Sequence, residues 1–250
     1  MQTMSSGESF ASETQMEQCH SYILRQLQLK GKPTGKPLPP GPAITISYQT
    51  GSGAHEIAER MAKLLQATEP KGSISWTVFD RHLVEKVLEE HHLPQALAKF
   101  MPEDRRSFIQ DVMEELVGLR PPSWVMVPEI AETVLHLADV GRVILVGRGA
   151  NFITARTPNV FHVRLIASVP ARIERVQKLN HMTPGDAAKF IRNQDRAGGR
   201  YVKSHFHVCK DDDLLYHLVI NTDWITCGDA AALIADGAQK CFSGNVGSRK

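Results

Sequence analysis

The apolar positions of the chain follow two alternating spacings from about Ala43 onwards. Short runs rich in β-branched residues, typical of strands, are separated by stretches whose apolar residues recur every three or four positions, typical of helices. The predicted strands are 43–47, 74–79, 142–146, 160–166 and 215–220. The predicted helices are 55–67, 170–179, 183–196 and 228–241, and residues 81–139 are helical almost throughout. Strands separated by helices pair in parallel, so we predict an α/β fold with a helical insertion after the second strand.

The first 42 residues have a different pattern. After a polar start, Cys19 to Leu29 is predicted to form an amphipathic helix of about three turns that is stable only when docked. Residues 30–42 contain five prolines and three glycines, which is typical of an extended linker. We therefore expect a flexible tail and linker over 1–42, one domain over 43–242 and a disordered tail over 243–250.

Composition and charge narrow the function classes. Lys and Arg total 29 against 27 for Asp and Glu, a formal charge of +2, which argues against coating nucleic acid or an anionic membrane. No apolar run approaches the roughly 18–20 residues that span a bilayer, and the N-terminus lacks the pattern of a secretory signal. The four cysteines lie far apart, as in proteins of reducing compartments. We expect a soluble cytoplasmic protein with neither nucleic acid nor membrane as partner.

A glycine-containing turn joins the first predicted strand to its helix. In a parallel sheet such a turn lies at the carboxyl edge, where ligands bind. Residues 51–53 (Gly-Ser-Gly) can direct backbone N–H groups inward at a helix N-terminus, which makes a phosphate cradle. The strict phosphate-loop pattern is not met, because Tyr48, Ala54 and His55 stand where it has glycine, lysine and Ser or Thr. A tight turn that binds nothing is the alternative interpretation.

Arginines in the second half of the chain are predicted to reach the same edge. With one aspartate among them, they are Arg148, Arg172, Arg175, Arg192, Asp195, Arg196 and Arg200. Arg148 stands between two glycines after a buried strand, whereas the others lie three or four residues apart on two helices. Because guanidinium groups suit phosphate oxygens, residues 176–200 are predicted to be a lid over polyphosphate. The alternatives are a surface ion pair for Arg148 and a solvated helix face for the other arginines.

Seven motifs in series resemble the cytidylate kinase-like family, a branch of the P-loop nucleoside monophosphate kinases. They are I-S-Y-Q-T-G-S-G-A-H-E-I-A, F-D-R, V-G-R-G-A-N-F-I, N-V-F-H-V-R-L-I-A, A-R-I-E-R-V, D-R-A-G-G-R-Y and L-V-I-N-T-D. The resemblance covers about Ala43 to Ala238. It implies a P-loop NTPase-like three-layer α/β/α fold with a central parallel sheet of about five strands. Residues 81–139 would then form an acceptor lid or a contact between copies of the chain, and the sequence does not choose between the two.

The resemblance also implies an activity and roles for particular residues. The activity is ATP-dependent phosphoryl transfer to a nucleoside monophosphate, with CMP or dCMP preferred and Mg²⁺ held mainly through the nucleotide phosphates. The residues implied for ATP are Gly51, Ser52, Gly53, Ala54, His55 and Glu56. The residues implied for catalysis are Arg148, Arg172, Arg175, Arg192, Asp195 and Arg196. The residues implied for the acceptor are Asp80, Arg148 and Arg200, and no side chain is assigned as a direct metal ligand.

Departures from the family pattern leave the activity open. Ala54 matches the position of the lysine in ordinary cytidylate kinases, and Gly149 stands where their G-R-D motif has aspartate. Losing that lysine removes a cation that bridges the donor phosphates, and His55 is a weaker substitute for it. The alternative function is a nucleotide-binding pseudokinase that acts as a regulatory module. A third interpretation is a kinase that acts on another small phosphorylatable substrate.

Overall fold

A computed structural model supplies the structure of the chain. It describes residues 17–19, 21–23, 40–70, 72–80, 107, 109, 112–113, 127–147 and 149–244. The strands are β1 (Ala43–Tyr48), β2 (Thr77–Asp80), β3 (Val143–Val146), β4 (Val160–Ile166) and β5 (Leu218–Asn221). The helices are α1 (Ala54–Thr68), α2 (Val127–Val140), α3 (Ala150–Ile153), α4 (Val169–Asn180), α5 (Pro184–Phe206) and α6 (Cys227–Gly244). Most of the predicted insertion over 81–139 lies outside the described residues.

The five strands form one parallel sheet in the order β2-β3-β1-β4-β5. In register, Ile44 of β1 lies beside Ile144 of β3 on one side and Phe161 of β4 on the other. The chain passes from β1 outward to β2, returns to β3 and then crosses to the opposite side of β1. This reversal beside β1 opens a crevice at the carboxyl ends of the strands, where ligands bind in open α/β sheets. The α/β fold predicted from the sequence is confirmed.

Helices cover both faces of the sheet, because its strands have apolar residues on both sides. On one face, Ile44 and Ile46 pack with Ile57 and Met61 of α1 and with Ile234 of α6, all fully buried. The other face is covered by α2 and by residues near the N-terminus. Continuous apolar runs such as Val143–Val146 therefore belong to strands buried on both sides. The result is a layer of helices on either side of the sheet.

Residues near the N-terminus belong to the apolar core on the side of the sheet that α2 covers. The side chains of Cys19, Tyr22 and Ile23 are buried, and Tyr22 donates a hydrogen bond of 2.5 Å to the carbonyl of Gly141. Burial, followed by the nearby carboxylate of Asp80, raises the pKa of the Cys19 thiol to about 12. At these residues, apolar side chains of the predicted amphipathic helix pack against the domain.

Helices α4 and α5 form an antiparallel pair. The sequence predicted both helices but placed the end of α5 too early. Ser168 caps α4 and Thr183 caps α5 through side-chain oxygens that accept backbone N–H groups. The predicted end of α5 at 196 is wrong, since the helix continues to Phe206 through two glycines. Tertiary packing outweighs the low helix propensity of glycine there, because Val202 is buried and Phe206 stacks on Phe152 with ring centroids 5.2 Å apart. None of the described helices is long and apolar enough to cross a membrane.

Candidate functional site

The glycine turn lies at the carboxyl end of the central strand. Gly51 and Gly53 adopt φ angles of 87° and 88°, in the left-handed region that glycine enters at little cost. A Cβ atom added to Gly51 would lie 2.8 Å from the carbonyl oxygen of Arg172, and one added to Gly53 would lie 2.9 Å from the Sγ atom of Cys227. Both positions therefore require glycine for its backbone conformation and for the space.

The loop ends in a helix N-terminus whose first N–H groups have no side-chain cap. Gly53 is the N-cap residue of α1 and provides no side-chain acceptor for the orphan donors of the first turn. Ser52 is fully buried, and its Oγ atom has no hydrogen-bond partner among the described residues. A buried, unsatisfied hydroxyl beside orphan N–H groups is costly unless a ligand or water completes it. Ala54 is also buried, so its methyl group packs where the strict loop pattern has a lysine.

Side chains from later in the chain hold the outer side of this loop. The Asp195 carboxylate accepts hydrogen bonds from the Thr50 amide at 3.0 Å and from the Arg172 guanidinium at 2.5 Å. The same guanidinium nitrogen donates to the carbonyl of Thr50 at 3.2 Å. Burial would raise the pKa of Asp195, but the hydrogen bonds from Arg172 and Thr50 outweigh it and lower the pKa below its usual value. Helices α4 and α5 are therefore tied directly to the glycine loop.

Arg175 and Thr222 form a second tie. Arg175 donates to the Gly51 carbonyl at 3.4 Å, and to the hydroxyl and carbonyl oxygens of Thr222 at 2.9 and 2.5 Å. The Thr222 hydroxyl in turn donates to the Ser52 carbonyl at 3.1 Å. Two predicted phosphate ligands, Arg172 and Arg175, thus bond to loop carbonyls in this structure. Their predicted contact with phosphate stays a prediction.

The remaining arginines fall into two groups. Arg192, Arg196 and Arg200 lie on α5 with exposed side chains, close in sequence to Asp195, which bonds to the loop. Arg148 lies outside the described residues, between Gly147 and Gly149. The structure therefore brings Arg172, Arg175 and Asp195 to the loop and leaves the exposed arginines of α5 available to solvent.

The predicted acceptor side of the crevice contains an acidic residue that contacts the loop helix. Asp80, at the carboxyl end of β2, lies with its Oδ2 atom 3.5 Å from Nε2 of His55 in the first turn of α1. The Tyr48 ring lies on another side of the imidazole, with centroids 6.1 Å apart. Glu56, the next residue, is exposed and pairs with Arg60 at 2.8 Å. His55 therefore connects the loop helix to the predicted acceptor side.

Two residues near the crevice were not singled out from the sequence. Asn151, in α3, accepts a hydrogen bond of 2.9 Å from Ser47, and its Nδ2 atom is buried without a partner among the described residues. Thr222 follows β5 and holds the loop as described above. Both residues stand within motifs quoted for the resemblance, R-G-A-N and I-N-T-D, so a polar residue just after a buried strand was the available signal.

The fold and the glycine turn together define a class of protein. A parallel sheet with helices on both faces, in which an αL-glycine turn opens a helix at the end of the central strand, is typical of α/β proteins that bind phosphate-bearing ligands at this edge. More particularly, the chain belongs to the cytidylate kinase-like family, whose model matches residues 43–224. The family predicted from the sequence motifs is thereby confirmed.

Solved structures show more distant similarities. The chain is similar to an uncharacterized protein from Eubacterium ventriosum ATCC 27560, at 18% identity and a TM-score of 0.49, covering 81% of this chain and 98% of that one. It is similar to APE1195 at 16% identity and a TM-score of 0.44, covering 82% and 98%. It is similar to shikimate kinase from Bacteroides thetaiotaomicron at 15% identity and a TM-score of 0.37, covering 81% and 98%. No curated protein matches the chain.

Proposed function

We propose that the protein transfers a phosphoryl group from ATP to a nucleoside monophosphate, with CMP or dCMP as the first candidate acceptor. The observation that carries the proposal is the glycine loop itself. Its two left-handed glycines and the uncapped first turn of α1 present N–H groups at the carboxyl edge, beside the unsatisfied Ser52 hydroxyl. Phosphate oxygens are acceptors that satisfy such a set of donors.

The residues of the chain have separate tasks in this proposal. Amides of the loop bind the donor phosphates, while Arg172 and Asp195 fix the loop's shape. The exposed arginines of α5, of which Arg192 and Arg196 are nearest to Asp195 in sequence, neutralise the migrating phosphoryl group when the two helices close over it. No strong base is needed, because phosphate oxygens of the acceptor are already nucleophilic. Catalysis thus depends on positioning and charge.

In this proposal, Mg²⁺ is held mainly by the nucleotide phosphates and only to a lesser extent by side chains of the protein. Among the described residues there is no group of three or more His, Cys, Asp or Glu side chains that could hold a metal ion. Two side-chain oxygens of the loop and the first turn of α1 are candidates, the unsatisfied Ser52 hydroxyl and the exposed Glu56 carboxylate. Mg²⁺ held mainly through the nucleotide would neutralise part of the phosphate charge, and Ser52 and Glu56 are the side chains that would help to hold it there.

A second candidate function is a nucleotide-binding pseudokinase. Three observations favour it: Ala54 is a buried methyl group where a phosphate-bridging lysine is absent, His55 contacts Asp80, and Arg172 bonds to the loop's own carbonyl and to Asp195. Each reduces the positive charge available for the transferring group. A protein of this kind binds a nucleotide without turning it over.

One set of measurements decides between the two functions. Purified protein is assayed for ADP formation from ATP and Mg²⁺ with CMP, dCMP, UMP and AMP in turn, and melting temperature is recorded with each nucleotide alone. We expect ADP formation that is fastest with CMP or dCMP. Stabilisation by ATP without turnover would favour the pseudokinase, whereas no stabilisation by any nucleotide would contradict both functions.

Arg148→Ala tests the predicted acceptor contact. Because this arginine is assigned to the acceptor phosphate, we expect the variant to lose most of the stabilisation by CMP and to keep that by ATP. Lys203→Ala, which removes an exposed cation on α5 that has no assigned role, is the matched control. Equal loss of both nucleotide effects in Arg148→Ala would show that the arginine is wrongly assigned.

A further inference from the structure

A buried charged residue lies near the carboxyl end of β4, outside the site described above. Arg164 is 3% exposed and lies in register with Ser47 of β1. Its guanidinium donates hydrogen bonds to the Asp211 carboxylate and, at 3.3 Å, to the Tyr216 hydroxyl, and it lies 5.5 Å from the centre of the Tyr216 ring. A buried ion pair is often no more stabilising than apolar side chains of similar volume. What Arg164 provides in addition is two fixed attachment points for the part of the chain that follows α5.

Residues 207–217 form a return segment that leads from α5 back to β5. Arg164 holds this segment at Asp211 and at Tyr216, and the Tyr216 hydroxyl in turn donates a hydrogen bond of 2.8 Å to the carbonyl of Lys210. The backbone is therefore attached both at Lys210 and at the residue that follows it. Because these attachments lead to β4, the partly buried Lys210 is positioned by the sheet.

The Lys210 side chain lies against α5 close to the glycine loop. Its ammonium donates to the main-chain carbonyl of Asp195 at 3.3 Å, and its Cε atom lies 3.8 Å from the position that a Cβ atom on Gly199 would occupy. The carboxylate of the same Asp195 accepts hydrogen bonds from the Thr50 amide and from Arg172. The ammonium is thus bonded to the residue that joins α5 to the glycine loop.

The glycine loop itself provides no cation for a donor phosphate. Ala54 places a buried methyl group at the position of the missing lysine, and Arg172 and Arg175 bond to carbonyl oxygens of the loop. A partly buried ammonium beside the loop has the charge that the loop lacks, and partial burial strengthens its attraction to an anion. The Asp195 carbonyl is a neutral acceptor, and a charged phosphate oxygen forms a stronger hydrogen bond with an ammonium.

We propose that Lys210 is the cation that binds the terminal phosphate of the donor, in place of the lysine whose position Ala54 occupies. The inference rests on the proposed nucleotide binding at the glycine loop and adds a catalytic residue to it. As the bond between the γ-phosphorus and the bridging oxygen of ATP breaks, a bond forms from the γ-phosphorus to an oxygen of the acceptor phosphate. The electron pair of the broken bond stays on the β-phosphate oxygen of ADP. Lys210 neutralises charge on the transferring group throughout and gives up no proton.

The experiment compares donors with and without the terminal phosphate. Binding of ATP and of ADP, each with Mg²⁺, is measured by calorimetry for the wild type, Lys210→Met and Lys210→Arg. ADP formation is followed at saturating ATP and varied concentrations of the monophosphate that the wild type uses best. Lys203→Met is the matched control, since it removes an equal charge from an exposed position of α5. Chemical denaturation of all variants establishes that they fold.

The expected result is a loss that depends on the terminal phosphate. Lys210→Met weakens ATP binding by about tenfold and ADP binding by less than about twofold, so the preference of the wild type for ATP over ADP disappears. The same variant lowers kcat by about 100-fold and leaves KM for the acceptor nearly unchanged. Lys210→Arg keeps the charge and recovers most of the ATP affinity and of kcat. Lys203→Met behaves like the wild type.

Other outcomes overturn the inference and identify which step is wrong. Equal weakening of ATP and ADP in Lys210→Met would show that the lysine only supports the contact between α5 and the loop. Unchanged ATP affinity, or an Lys210→Arg variant no better than Lys210→Met, would show that its charge has no part in binding the donor. If the wild type binds ATP without turnover, the comparison of ATP with ADP still decides, because it needs no catalysis. If the wild type binds neither nucleotide, the proposed function itself fails, and the role of Lys210 fails with it.

Discussion

The glycine loop and the acceptor edge lie at the same end of the sheet but are held in different ways. Side chains from α4, α5 and the turn after β5 bond to the backbone of Thr50, Gly51 and Ser52. The described acceptor edge has fewer such ties: Ser47 bonds to Asn151, and Asp80 lies 3.5 Å from His55. The loop is thus held in shape by the protein itself, whereas at the predicted acceptor edge the buried amide nitrogen of Asn151 has no partner among the described residues.

The largest expected effect follows from filling the space that Gly51 leaves open. Gly51→Ala combines a strained left-handed backbone with a contact of 2.8 Å to the Arg172 carbonyl, so we expect a loss of about 3 kcal/mol in the free energy of unfolding. ATP affinity falls with it, because the loop must shift. Chemical denaturation and calorimetry measure both.

Substitutions at two other glycines distinguish the effect of backbone strain from that of the close contact. Gly72 has the same φ of about 88° but open space around the added Cβ, and Gly185 has neither constraint. We expect Gly72→Ala to cost about 1 kcal/mol from backbone strain and Gly185→Ala to cost nothing measurable. A loss in Gly51→Ala no greater than that in Gly72→Ala would contradict the close contact with Arg172.

The next effect comes from removing the carboxylate that joins α5 to the loop. Asp195→Ala leaves the buried Arg172 guanidinium and the Thr50 amide without their acceptor, so we expect a loss of about 2 kcal/mol in stability and weaker ATP binding. Asp195→Asn keeps an acceptor for the Thr50 amide, so we expect it to lose only part of this stability and ATP affinity. Asp186→Ala, on the exposed start of α5, is a control whose effect is limited to its cap.

Acid titration tests the same tie in the wild type. Folding lowers the pKa of Asp195 below its ordinary value of 3.8, so the stability that the carboxylate provides is fully present above that pH. It is lost as the pH falls through the lowered, folded-state pKa. The difference in stability between the wild type and Asp195→Asn therefore shrinks on acidification below pH 3.8, and a pH-independent difference would contradict the assignment.

A smaller effect is expected on the acceptor side. Asn151→Ala removes the acceptor of the Ser47 hydroxyl, at a cost of about 1 kcal/mol, and removes an amide nitrogen that has no partner among the described residues. We expect stabilisation by CMP to decrease and stabilisation by ATP to remain. Thermal shift with each nucleotide measures this, and a decrease for ATP alone would place Asn151 on the donor side.

The smallest effect on stability is expected where the two regions meet. His55 is about half exposed and its contact with Asp80 is long, so His55→Ala should change stability by less than about 0.5 kcal/mol. Because His55 lies in the first turn of the loop helix and its imidazole contacts Asp80 of the predicted acceptor edge, we expect a few-fold weakening of both ATP and CMP binding. A loss for only one nucleotide would assign His55 to one region.

The spacing of apolar residues predicted most elements because helices and buried strands have distinct periods. The sequence missed features that depend on distant partners. The last strand begins at Leu218, three residues later than predicted, because Asp212 caps a short 3₁₀ turn over Asp213–Leu215. Helix α3, directly after Gly149, was not predicted, since four residues carry too little periodicity to detect.

For the site, the loop glycines and the arginine-rich helices were evident from the sequence, but the partners of the arginines were not. Arg172 and Asp195 are 23 residues apart on different helices, and Asp80 comes near His55 only because β2 pairs with β3. No local sequence pattern predicts such long-range contacts. The same is true of the bond from Lys210 to the Asp195 carbonyl, which depends on the attachment of the return segment to β4.

What the sequence determined by itself is most of the elements, the parallel sheet and the position of the glycine turn, because these follow from periodicity and from the backbone freedom of glycine. Only the tertiary structure decided which arginines are bound to the loop and which remain exposed. That choice depends on contacts between groups far apart along the chain, such as the Thr50 amide and the Asp195 carboxylate, which are 145 residues apart, and only folding brings them within hydrogen-bonding reach.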